Sequence, residues 1–178
     1  MFFKGLKDKF KHKSGLKYLR QELRQPRTAP SRKRGIHAVG ILADLDAFSD
    51  TEAFFGIIDT LGLRPNAVKV LGYKKFYDKN SPYATPVFSD KDLGWKGEVE
   101  NSYVLEFLGR EYDLLINYFQ EDNLPMQLVS LKTQARIRAG LGGPDPAFND
   151  LIFECPMSDF RLFTSELKKY LRVLNELP

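Results

Sequence analysis

Three aspartates close behind an apolar run, Asp44, Asp46 and Asp50, are the first residues whose spacing suggests chemistry. Carboxylate oxygens gathered at a strand end can hold Mg²⁺. The reading we prefer is that they shape a turn and favour a helix N-terminus. Gly140, Gly142 and Gly143, in AGLGGPDP, offer backbone amides to an anion. Pro144 and Pro146 follow and lack that donor, so a plain connection between strands fits better. Ser130 and Lys132, with Asn117, form a nucleophilic set only if a base and an oxyanion hole converge on them, and their spacing does not require it. His12 and His37 are the only histidines, too few for a Ser-His-Asp set or a histidine metal cluster. Cys155 has no basic neighbour and reads as a small buried hydrophobe. Lys74, Lys75, Phe76, Tyr77, Lys79 and Tyr83 interleave cations with aromatics, a pattern that can stack bases and grip phosphates. The simpler reading is a surface loop whose rings cover a sheet edge, with Trp95 anchoring the loop to the body. Asp44, Asp46, Asn117 and Ser130 therefore mark a possible pocket, and no catalytic, metal or cofactor site is assigned.

Charge is the stronger signal. Residues 1–34 carry twelve Lys and Arg against Asp8 and Glu22, a net of +10. The rest of the chain carries 15 bases and 21 acids, a net of −6. The sequence pI near 9.1 thus belongs to the arm. Such asymmetry points to nucleic acid or an anionic membrane surface. Phe2, Phe3, Leu6 and Phe10 recur at helical spacing, as do Leu16, Leu19 and Leu23, a basic amphipathic pattern with a break expected at Ser14-Gly15. Pro26 and Pro30 end the helix, so residues 25–34 read as a linker. The arm could pack on the body, meet RNA, lie in a membrane interface or stay disordered. It contains neither the apolar core of a secretory signal nor a membrane span. A cytoplasmic location, free or peripheral to the inner membrane, is expected, in keeping with the single cysteine.

The elements that must position these residues alternate. Residues 36–43 (IHAVGILA) suit a strand buried on both faces. Ser49 and Glu52 suggest a capping box opening a helix, with Gly62 as its stop. Residues 67–73 form a second strand, completing a βαβ unit and implying parallel pairing. Residues 74–97 read as loop, with 85–88 as a short edge strand. A helix over 98–108, a strand over 112–118, a short helix over 124–131 and strands over 135–139 and 150–154 follow. Ser158 caps a last helix with Phe160, Phe163, Leu167 and Leu171 inward. The sum is a single α/β domain over 35–178. It has three layers, a mostly parallel sheet of about five strands, and a Rossmann-like or flavodoxin-like winding. The first βα turn reads ADLDAF, without glycine and with two carboxylates, which disfavours the usual dinucleotide mode. No phosphate-loop lysine motif occurs.

The runs VKVLGY (68–73), SDKDLGWKG (89–97), EYDLLIN (111–117), LKTQARIRAG (131–140) and NDLIF (149–153) together resemble a family of small uncharacterised bacterial proteins. The likeness covers about residues 35–175 and implies no activity. Where an aromatic is usual before Gly97, this chain has Lys96. A second likeness, to the N-terminal half of heptosyltransferase-type glycosyltransferases, rests on Tyr112-Asp113, Ile116, Ala135-Arg136 and Gly140. It implies a Rossmann-like half-domain, not sugar transfer. The expectation is a binding protein docked to RNA, the ribosome being one candidate, or to another anionic surface. Its contacts would be Lys4, Lys7, Lys9, Lys11, Lys13, Lys17, Arg20, Arg24, Arg32, Lys33, Arg34, Lys74 and Lys75, with phenylalanines anchoring the helix. A peripheral membrane adaptor and a small enzyme at the strand ends are the alternatives, and a protein partner is left open.

Overall fold

The computed structural model describes residues 2–78 and 80–178; the expected parts of Lys79 and of the Phe2 side chain lie outside the described residues. Six strands form one sheet: β1 (Val39–Asp44), β2 (Val68–Tyr73), β3 (Val87–Phe88), β4 (Glu111–Tyr118), β5 (Gln134–Leu141) and β6 (Leu151–Phe153). Their order is β3-β2-β1-β4-β5-β6, and every pairing is parallel. This is the Rossmann winding, with its switch point between β1 and β4. The sheet has six strands, the sixth being the two-residue edge strand β3, inside the 85–88 stretch read as a short edge strand.

The strands are apolar on both faces because helices cover both. One face packs α2 (Thr51–Phe55), α3 (Ile57–Leu61) and α6 (Phe160–Val173) over Ile41, Leu114 and Ile116. The other packs α4 (Ser102–Leu108) and α5 (Leu124–Lys132) over Leu42, Leu71 and Leu115. Three layers result, as expected. Gly62, at φ 68°, closes α3 in the left-handed conformation that glycine adopts without strain. The caps are shifted by one residue: Asp50, not Ser49, accepts from the Ala53 amide, and Asp159, not Ser158, accepts from the Leu162 amide.

The first helix, α1 (Phe2–Glu22), is continuous through Ser14-Gly15, where the sequence suggested a break. Gly15 lets the helix pack closely against Leu93, Leu124 and Leu128; a Cβ there would meet Leu124 Cδ2 at 3.2 Å. Ser14 accepts a hydrogen bond from the Lys96 amide at 2.9 Å. Leu19 is 5% exposed, and Leu16, Tyr18 and Leu23 pack beside it on the α5 side. At 1.5 Å per residue α1 is about 31 Å long, longer than any strand beneath it. Its last turns are therefore built into the core, while Asp8 and His12 overhang the carboxyl ends of the strands.

The chain then crosses the opposite edge of the sheet, held by ion pairs. Arg27 binds both oxygens of Asp150, at 2.6 and 2.7 Å. Arg32 Nε donates to Asp113 Oδ1 at 2.6 Å, and the His37 and Ala38 amides donate to Asp113 Oδ2, each at 2.8 Å. The Gly35 amide donates to Glu176, which Arg136 also clasps with both terminal nitrogens, at 2.6 and 2.7 Å. No helix among the described residues is long and apolar enough to cross a membrane.

Candidate functional site: a basic groove on the first helix

The linker and helix cations have different fates. Arg32 is committed to Asp113, a carboxylate only 1% exposed, so it holds the fold rather than facing outward. Arg34 lies 3.9 Å from Glu176, and Lys33 is exposed. Lys74 pairs with Asp46 at 3.3 Å. Lys75 lies over the Phe76 ring at 5.8 Å and borders the strand-end crevice rather than the outer face of α1. The helix cations Lys4, Lys7, Lys9, Lys13, Lys17, Arg20 and Arg24 are exposed, and Lys11 is half-buried.

Within that set, Lys13, Lys17, Arg20 and Arg24 follow one another at i, i+4, i+7 and i+11. This spacing puts Lys13, Lys17 and Arg20 on one face of α1, with Arg24 in the turn just past its end. They line a groove of about 880 Å³ whose other wall is the turn at Trp95 and Lys96. Phe10, Ser14, Leu16 and Gln21 complete the lining, and no acidic side chain takes part. None of the ion pairs among the described residues involves Lys13, Lys17, Arg20, Arg24 or Lys96. Phe10 is 53% exposed and Trp95 46% exposed. Trp95 therefore is not the anchor expected from sequence. Leu93 and Val99, both buried and bridged to one another, hold that loop instead. The Gly94 amide donates to the Glu98 carbonyl and the Glu98 amide to the Trp95 carbonyl, so Trp95 rides a tight turn. The signal that could have found this was LGWKG itself, in which Lys96 adjoins an aromatic beside a glycine.

The strand-end residues do not form one site. Asp44 and Asp46 line a crevice of about 500 Å³ at the switch point, with Asp8, His12, Asp90 and Glu121. Its carboxylates are used locally. Asp44 Oδ1 accepts from the Asp46 and Ala47 amides, and Asp46 Oδ2 accepts from the Lys75 amide at 2.7 Å. Tyr73 donates its hydroxyl proton to Asp90, and Gln127 Nε2 donates to Asp122. Burial pushes the Asp44 carboxyl up, against the pull of those two amides. No group of three or more His, Cys, Asp or Glu among the described residues is arranged to hold a metal ion. A crevice walled by carboxylates repels phosphate, so the electrostatics oppose a nucleotide there.

Asn117 and Ser130 lie elsewhere. Asn117 is buried on β4 and donates to Asn149 Oδ1 at 2.9 Å, tying the loop after β5 to the sheet. Gly140 makes room for that contact: a Cβ there would stand 2.4 Å from Asn149 Nδ2. Ser130 is buried on α5, and its carbonyl accepts from Arg138 Nη1 at 2.6 Å. Arg138 also reaches the Thr133 carbonyl, so a buried guanidinium closes the C-terminal end of α5. Burial and the nearby Arg27 charge bring Arg138 down to about 10. Cys155 is half-buried, with its thiol pushed up by burial and by neighbouring carboxylates, which disfavours the thiolate.

The basic groove on α1 is thus an outward-facing cluster suited to a ligand. A search of curated proteins finds no match. A family model matches residues 11–174, a span that includes the groove's cations and nearly all of the body. The chain belongs to the DUF6913 family, a family of unknown function.

Proposed function

We propose that this protein docks to RNA through the outer face of α1, the Rossmann-like body serving as its platform. The observation that carries the reading is the groove of Lys13, Lys17, Arg20, Arg24 and Lys96, five cations with no acidic side chain among its lining. A surface of one sign, on a body whose remainder is acidic, fits a polyanion and orients the encounter. A cytoplasmic setting, where RNA is abundant, belongs to the same proposal. Five phosphate contacts on a single strand give a log–log salt slope of about −3.5, so affinity drops about 100-fold between 50 and 200 mM salt. Fluorescence anisotropy of a labelled 20-nucleotide RNA at the two salt concentrations tests this. Affinity that is flat with salt, or absent at 50 mM, contradicts it.

A second reading is supported by a separate feature. Leu6 and Phe10, one turn apart on α1, are 42% and 53% exposed among Lys4, Lys7, Lys9 and Lys11. Apolar side chains flanked by lysines on a helix suit seating in an anionic membrane interface. Flotation with vesicles of phosphatidylglycerol and phosphatidylcholine separates the two readings. Vesicle binding that survives RNA competition favours the membrane.

A further inference from the structure

The groove contains more than charge. Trp95 stands at the tip of a turn whose backbone is fixed in an uncommon conformation: Lys96 has φ 53° and Gly97 φ 77°. The lysine is the costly position, because left-handed backbone strains a residue with a Cβ. The surroundings hold it there. The Lys96 amide donates to Ser14 on α1, and Gly97 is pressed so closely that a Cβ would stand 2.6 Å from Tyr18 Cδ1 and 2.9 Å from Leu128 Cδ2. Lys132 buttresses the same corner, pairing with Glu98 at 3.0 Å and lying over the Tyr18 ring at 5.0 Å. The turn therefore holds an indole half in water in the groove that exposed Phe10 and the cation row also line.

Resting on the RNA reading above, we infer that the groove takes single-stranded RNA, with an unpaired base stacking on Trp95 while Lys13, Lys17, Arg20, Arg24 and Lys96 follow the backbone. A flat aromatic gains from a base only when that base is free to leave its own stack. In a duplex the bases are enclosed and only phosphates face the cations. The row from Lys13 to Arg20 rises about 10 Å along α1, with steps of about 4.5 to 6 Å, and Arg24 continues it in the turn past Glu22, which suits a strand lying along the helix rather than a point anion. The groove volume of about 880 Å³ falls in the range of pockets for organic ligands and leaves room for a base beside the indole.

Trp95 is the sole tryptophan of the chain, so its emission reports on this site alone. The full chain is titrated at 50 mM salt with a 12-nucleotide oligouridine and with a 12-base-pair RNA duplex. Labelled copies of both are followed by anisotropy on the wild type, Trp95→Ala, Trp95→Phe and Phe10→Ala. The expected result is quenching of the emission by the single strand and not by the duplex. Trp95→Ala should weaken single-strand binding about tenfold or more, with duplex binding unchanged, and Trp95→Phe should restore most of the loss. Unchanged emission, with equal binding of both RNAs by wild type and Trp95→Ala, overturns the stacking inference and leaves docking by charge. Binding of neither RNA overturns both. A blue-shifted emission with anionic vesicles that RNA does not displace assigns the groove to lipid and overturns the inference.

Discussion

The residue scale is where the basic arm divides. Its linker arginines pair with carboxylates of the body, buried Asp113 and Glu176 and exposed Asp150, while its helix cations stay in water. Asp113 shows the difference. Burial alone would raise its carboxyl, but Arg32 and the His37 and Ala38 amides outweigh that and hold it below the usual range. Glu176 is held low chiefly by Arg136, against its own burial, with help from the Gly35 amide and Arg34. A carboxyl whose folded value is depressed adds stability that is present above its unfolded value near 4 and is lost as pH falls through the folded value. Thermal unfolding should therefore show a plateau above about pH 5 and a steep loss below about pH 4. Asp113→Asn should cost about 3 kcal/mol at neutral pH, because Arg32 and two amides lose their charged acceptor. That variant should also lose less on acidification; an equal loss in both chains would contradict the assignment. At the alkaline end, burial raises Tyr73, Tyr112 and Tyr118. Their contribution is present below the unfolded value near 10 and is lost as pH climbs above it. The excess of arginine was plain in the sequence, but its division was not, since nothing in residues 27–34 names partners more than 75 positions away.

At the scale of elements, α1 belongs to the fold. Leu19→Ala should destabilise the whole chain by about 2 to 3 kcal/mol, measured by urea unfolding, because it opens a cavity against α5. A change within about 0.5 kcal/mol would mean that the helix is an appendage. Gly97→Ala should cost about 1 to 3 kcal/mol from left-handed backbone and the clash with Tyr18, and it should alter Trp95 emission by shifting the turn. Unaltered stability and emission would refute the pinned turn. The strands were legible because runs such as IHAVGILA and YDLLINY read as buried strands, and Gly62 and Pro26 marked two ends. The continuity of α1 was not, because a serine-glycine pair breaks a helix by propensity and continues one when leucines fill the space beside the glycine. Helix packing also explains why the apolar residues of α1 do not share the one face that its amphipathic pattern suggested. Leu19 turns toward α5, whereas Leu6 and Phe10 turn to water.

For the molecule as a whole, the sheet order β3-β2-β1-β4-β5-β6 places a crevice where this winding commonly binds nucleotides, yet carboxylates fill it. The cations gather on the outer face of α1 instead. Sequence reasoning found the charge, the parallel sheet and the missing phosphate loop. It placed Asn117 and Ser130 with Asp44 and Asp46 because all follow or close strands in the sequence, whereas Asn117 is taken up by Asn149 in the loop after β5 and Ser130 is buried on α5 beside Arg138. Removing residues 1–34 would also uncover Leu93, Leu124 and Leu128, so charge variants test docking more cleanly than truncation. The most direct measurement is therefore RNA binding by the intact chain against a chain carrying Lys13→Glu, Lys17→Glu, Arg20→Glu and Arg24→Glu, at 50 and 200 mM salt, with thermal unfolding of both. Tight, salt-sensitive binding by the wild type, abolished in a variant that unfolds at a similar temperature, is the predicted result. Equal RNA affinity in the two folded chains would contradict docking through α1.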